Sequence, residues 1–256
     1  MALKYLPHPD KMSFLDHLEE LRVRLIRCLL SLVVAFGICW GFADKIFHFI
    51  TGPMRQADAK IQFIYTEPTE AFMLYMKMAF FVGIFLAAPF ILYQIWAFIS
   101  PGLYPHEKAY AVPFIAFGSV FFLLGALFGH YVLFPMTFQF LGQYSGQDMK
   151  FMPKISDYYS FYSWFLLGLG LVFQLPVVIF VLARIGMVTA GFLLRMFKYA
   201  FLACFVISAV VTPSGDMVTQ TALALPMIGL YLLGVLVAWL FGKPRHAPEP
   251  AVSAGA

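Results

Sequence analysis

The strongest constraint on this chain is a succession of six apolar stretches, each a candidate to leave water altogether. A membrane span needs roughly 20 apolar residues, fewer where the bilayer thins. That ruler marks stretches from about Val23 to Ala43, Met78 to Ile99, Ala111 to Phe134, Phe161 to Leu182, Tyr199 to Thr212 and Val218 to Phe241. Hydrophobic residues make up 62% of the sequence and charged ones 12%, a balance that excludes an ordinary soluble domain. Backbone groups in hydrocarbon must be satisfied within the segment, so the expectation is an all-α integral membrane protein with six transmembrane helices.

The fifth stretch is short, and the sixth opens on the polar triplet Thr219-Gln220-Thr221. Together they predict a hairpin that reaches only partway into a bilayer of full thickness, turning at Pro213-Ser214-Gly215-Asp216. Prolines fall within four spans, at Pro89, Pro113, Pro176 and Pro226. Each removes a backbone donor and is expected to bend its helix, giving a curved, Pro-kinked bundle. Lys and Arg are retained on the cytoplasmic side. With the N-terminus inside, cytoplasmic segments hold eleven basic residues and the opposite side six, so both termini are expected in the cytoplasm. The outer loops, residues 44–77 and 135–160, contain GPM, YTEPTEAF and KISDYYSF, which suggest short interfacial helices capping the bundle. Residues 1–243 form a single six-span membrane domain on this reading, and the Pro- and Ala-rich segment 244–256 a disordered cytoplasmic tail.

Several function classes fit poorly. A net charge of +4, distributed by side of the membrane, argues against nucleic acid as a partner. Cys28, Cys39 and Cys204 lie in apolar runs without disulfide or metal-ligand spacing, so packing is their expected role and no metal or cofactor is called for. Met1 to Lys11 is polar and contains prolines, so no cleavable leader is expected and the first span stays as an anchor. A membrane-embedded hydrolase would need a nucleophile and a base at matched depth, whereas His8, His17, His48, His106, His130 and His246 all map to loops or span ends. A proton-coupled transporter would predict a mid-span acid and an inverted repeat, and neither is apparent.

The lead-in to the first span, SFLDHLEELRVRLIR, carries three acids where basic residues are the rule. Asp16, Glu19 and Glu20 sit at i, i+3 and i+4 and share one helix flank. Glu20 can pair with Arg24 four residues on, and acids at a helix N-terminus suit the macrodipole. A second carboxylate, Glu107, lies in the short loop SPGLYPHEK, stiffened by two prolines. From spacing alone, a structural ion pair and a binding role both remain open for Glu20, as do solvation beside Lys108 and binding for Glu107.

These segments resemble the TatC family, the core and receptor subunit of the twin-arginine protein translocase. The motifs occur in order: HLEELRVRL, GPM at 52–54, APFILYQIWAFISPGLYPHEK from Ala88 to Lys108, FQLPV from Phe173 to Val177, and VTPSGDMVTQ leading to LALPM. The resemblance covers about Ser13 to Lys243. It implies a non-enzymatic scaffold in the cytoplasmic (inner) membrane that binds Arg-Arg signal peptides of folded cargo. It also implies the single-span partners TatA and TatB, a multimeric complex and use of the proton-motive force.

Residue by residue, the resemblance places signal-arginine acceptors at Glu20 and Glu107, an aromatic beside them at Phe98, and an apolar receiver of the signal's hydrophobic part at Leu25. The chemistry is consistent, because a guanidinium forms a planar fork that a carboxylate accepts bidentately. Where the family commonly has a glutamate in the fourth span, this sequence has Gln174, a departure that weighs against a mechanism needing negative charge there. Gln174 remains able to hydrogen-bond across helices. Thr212 and Gln220 resemble the positions where TatA and TatB dock; packing within the hairpin is the equal alternative. An aromatic at a helix end such as Phe98 serves also as an interfacial anchor.

Overall fold

The computed structural model describes residues 14–57, 63–99, 111–142, 152–212 and 217–242. Apart from one isolated β-bridge, the regular structure of these residues is helical: α1 (Phe14–Trp40), α2 (Ala43–Ala57), α3 (Glu70–Ile99), α4 (Ala111–Phe128), a π-turn (Gly129–Leu133), α5 (Phe134–Gly142), α6 (Ile155–Val172), α7 (Leu175–Arg184), α8 (Ala190–Val211) and α9 (Met217–Phe241). Six segments are long and apolar enough to cross a bilayer: His17–Trp40, Glu70–Phe98, Val112–Phe140, Ile155–Arg184, Ala190–Val211 and Met217–Phe241. The six-span all-α expectation holds. The turn 213–216 and the tail 244–256 lie outside the described residues.

The third span runs farther than the apolar stretch ending at Phe134, and the cause is Pro135. Proline has no N–H, and its ring crowds the carbonyl four residues back. The chain widens by one residue instead of stopping: the Phe134 N–H donates to the Gly129 carbonyl in the π-turn, and α5 then continues to Gly142. This corrects the outer loop 135–160, whose first residues are helical and whose last belong to α6. His130 consequently lies inside a span instead of at its end. Of the three expected capping helices only GPM belongs to one, as part of α2; Glu70 begins α3 and KISDYYSF begins α6.

The prolines act unequally. α3 and α9 run uninterrupted through Pro89 and Pro226, whereas the fourth span breaks between α6 and α7. Pro176 there withholds the hydrogen bond that the Val172 carbonyl would accept, and the chain turns at Phe173–Gln174 before α7 resumes with Val178 N–H on the Gln174 carbonyl at 2.9 Å. The fifth span also needs restating. At 22 residues it is the shortest of the six but still about 33 Å long. Only the apolar part after Lys198 is short, because Arg195 and Lys198 occupy the exposed side of its first turns. Its start is set locally. Gly186, at φ +77, closes α7 with Met187 N–H on the Leu182 carbonyl, and Thr189 then caps α8 by accepting from Phe192 N–H at 3.3 Å.

The main core lies toward the end of the bundle that carries α2, around Met54, Met78, Phe134, Tyr158, Tyr162 and Phe165. There α2 is held by Tyr158, whose hydroxyl donates to the Ile50 carbonyl at 2.7 Å, and α3 by Tyr159, which donates to the Lys77 carbonyl at 2.7 Å. A single parallel bridge joins Ile64 to Lys154. Midway, α4 and α6 meet through small residues: a side chain at Gly125 would come within 2.9 Å of the Leu169 carbonyl, and one at Gly170 within 2.7 Å of the Phe122 ring. α1 and α8 are peripheral, burying 11% of their most apolar window against 33–44% for the other four spans. α1 packs chiefly along α3, and α8 along α9.

Candidate functional site

The end opposite α2 carries the start of α1 and the end of α3. Helical spacing brings Glu20 and Arg24 together one turn apart. The Glu20 Oε1 accepts from Arg24 Nε at 2.9 Å and also from Arg24 Nη2, and both side chains are largely covered. Arg24 Nη1 reaches across to α3 and donates to Gln94 Oε1 at 3.3 Å. Gln94 is itself buried, so this fork ties α1 to α3 through a polar group inside an otherwise apolar contact. The other carboxylate oxygen, Glu20 Oε2, is buried and has no hydrogen-bond partner among the described residues. His17 Nδ1 lies 3.8 Å from it. His17 in turn stacks on Phe98, with ring centroids 4.3 Å apart and planes 15° from parallel.

Glu20 and Phe98 are therefore brought together, with His17 between them. Leu25 is kept apart: it is 66% exposed and, one residue beyond Arg24, points about 100° away around α1. Glu107 lies outside the described residues, and the side chain of Asp16 is likewise not described. The Glu20–Arg24 pair is the one expected from spacing, whereas His17 and Gln94 join the site without having been expected from sequence. His17 was visible in HLEE and Gln94 in the apolar run ILYQIW, but nothing local says that residues 70 to 81 positions apart will touch.

Gln174 occupies the break in the fourth span, where its Nε2 donates to the Gly118 carbonyl of α4 at 2.8 Å. A carbonyl can only accept, so the amide must present its N–H side. The position thus works as a donor between helices, which an ionised glutamate cannot do. Further along, the α8–α9 hairpin uses its polar groups internally. Gln220 Nε2 donates to the Phe205 carbonyl at 3.0 Å, Ser208 Oγ to the Gln220 carbonyl at 2.5 Å, and Thr212 Oγ1 to the Ser208 carbonyl at 2.8 Å. Thr212 is buried and Gln220 half-buried.

His130, on the π-turn, is buried, with Nδ1 2.7 Å from the Tyr162 hydroxyl and its ring stacked on Phe49 at 4.1 Å. This polar pair braces the third span against the fourth. No cluster of three or more His, Cys, Asp or Glu able to hold a metal occurs among the described residues.

Spans braced by buried polar bonds, with a carboxylate–guanidinium site at one end, define a multi-pass membrane protein built to bind and assemble. The profile of the family described as Sec-independent protein translocase protein (TatC) matches residues 16–226. A TatC protein of Koribacter versatilis is 43% identical over 249 residues, covering 93% of this chain and 91% of that protein, and one of Escherichia coli O6:H1 is 34% identical, covering 94% and 93%. A crystal structure of the twin-arginine translocase receptor TatC in DDM superposes with a TM-score of 0.77 at 33% identity, covering 89% of this chain and all of that one. A further TatC receptor crystal structure gives 0.74 at 32%, covering 87% and 97%. The chain belongs to the TatC family and is a core subunit of the twin-arginine protein translocase, a transport component and not an enzyme.

Proposed function

We propose that this subunit receives signal peptides bearing two consecutive arginines on its cytoplasmic face. With TatA and TatB it then passes folded proteins across the cytoplasmic (inner) membrane at the expense of the proton-motive force. The observation that carries the reading is the unsatisfied, buried Oε2 of Glu20 beside an oxygen already holding a guanidinium. A buried carboxylate oxygen without a donor is costly. A signal arginine entering past the His17–Phe98 stack would supply the missing donor, and Glu107 would take the second arginine. The eleven-to-six division of basic residues supports placing this end, and both termini, in the cytoplasm.

Replacing Glu20 or Glu107 with Gln is expected to weaken binding of an Arg-Arg peptide to the purified subunit while leaving membrane insertion intact. Unchanged affinity in both single variants and the double variant would reject the site.

For TatA and TatB, the surface favoured is the exposed face of α8 at Val206 and Val210 and the adjoining Met217, 55%, 75% and 82% exposed. Gln220 and Thr212 hold the hairpin in shape behind it. The short apolar part of α8 supports the assignment, since a partner that shields it reduces the cost of mismatch. A cysteine at Val210 is expected to crosslink to a TatA or TatB span more strongly than one at Thr212, and both more than one at Leu124 on the third span. Equal capture at Leu124 would place docking elsewhere.

A further inference from the structure

Between α1 and α3 runs a groove of about 460 Å³, walled by Arg27, Ser31, Ala35 and Ile38 on one side and by Ala87 and Phe90 among others on the second. Small residues at 31, 35 and 87 make it a trough. It is apolar almost throughout: the Ser31 hydroxyl donates to the Cys28 carbonyl of its own helix at 2.7 Å and offers no donor to an occupant. The exception is Arg27. It is exposed at one end of the groove, and no hydrogen bond or ion pair joins it to another described residue.

The dimensions match half a bilayer. Arg27 is the last charge before the uncharged run Cys28–Ala43, so it stands where hydrocarbon gives way to headgroups. From there to Ile38 the groove extends eleven residues along α1, about 16 Å at the helical rise. One leaflet of hydrocarbon is about 15 Å deep. An acyl chain laid along the trough would end near the midplane, with its phosphate level with the guanidinium.

We propose that this groove binds one anionic phospholipid, its acyl chain between α1 and α3 and its phosphate on Arg27. A guanidinium accepts a phosphate as a planar fork, and its long stem lets the charge reach the interface. The lipid is anionic because a zwitterionic headgroup carries its own ammonium to compete for the phosphate, whereas phosphatidylglycerol leaves that charge unpaired. The site requires only that α1 cross the membrane. It is independent of signal recognition, since Arg27 takes no part in the Glu20–Arg24–Gln94 set.

The test is native mass spectrometry of the full chain in detergent, titrated with phosphatidylglycerol or with phosphatidylcholine of the same chain length. The wild type is expected to retain phosphatidylglycerol about fivefold better. Arg27→Gln should bring that ratio close to one, while Arg22→Gln, the same change of charge on the same helix end, should leave it. Val34→Trp, at an exposed groove position, should lower retention of both lipids. The proposal is overturned if Arg27→Gln keeps the wild-type ratio, if Arg22→Gln loses as much, or if a photoreactive residue at Val34 captures an added Arg-Arg peptide and no phosphatidylglycerol.

Discussion

The α1–α3 pair and the α8–α9 hairpin are both pairs of neighbouring spans with polar side chains between them, and they use those side chains in opposite ways. In the hairpin each described bond closes on a carbonyl of the pair itself: Gln220 on Phe205, Ser208 on Gln220, Thr212 on Ser208. In the α1–α3 pair the network stops one partner short. Arg24 is bound to Glu20 and Gln94, and Glu20 Oε2 is left over. Where the bonds close within the pair, polar residues hold shape; where a buried carboxylate oxygen remains, a ligand has something to gain. The comparison separates two roles that look alike as sequence, since Glu20 and Gln220 are both single polar residues beside an apolar run.

The largest expected effect is at Glu20. A hydrogen bond to a charged group contributes about 1.5–3 kcal/mol, so Glu20→Gln should weaken an Arg-Arg peptide by at least tenfold in a direct binding titration. Gln220→Leu should do the reverse in kind, lowering the stability of the purified subunit by about 1 kcal/mol, read as a lower thermal midpoint, with peptide affinity unchanged. A fall in affinity without a fall in stability would erase the distinction between the two pairs.

The smallest effect is expected at Gln174, where one interhelical bond is worth about 0.6 kcal/mol. Gln174→Leu removes the donor to Gly118 and should impair transport in vesicles while sparing signal binding. Full transport by the Leu variant would reduce the residue to packing. Gln174→Glu sharpens the point, because an ionised carboxylate cannot donate to Gly118. If that variant transports normally, the amide donor is not required, and either polarity alone or the O–H of a protonated carboxyl serves in its place.

Much of this was legible in the sequence wherever the determinant is local. Six spans follow from hydropathy, and the Glu20–Arg24 pair from a spacing of four on a helix. What escaped was of two kinds. Some span ends depend on how a residue sits in its helix, which apolar length alone does not show: Pro135 widens its helix into a π-turn instead of ending it, and Arg195 and Lys198 sit on the exposed side of α8 instead of before it. The rest depends on contacts between distant segments. Nothing near His17 announces Phe98, and nothing near Gln174 announces Gly118; each pairing exists only once the helices have docked.

The most direct test of the central claim, that the unsatisfied oxygen of Glu20 receives a signal arginine, is a double-mutant cycle. Peptides with Arg-Arg, and with each arginine in turn replaced by Gln, are titrated against the wild type and Glu20→Gln, and the same set against Gln220→Leu. The account predicts a coupling of about 1.5–3 kcal/mol between Glu20 and one of the two arginines, and none between either arginine and Gln220. Coupling at Glu20 no larger than that at Gln220 would contradict it, and would make Glu20 a brace like the polar residues of the hairpin.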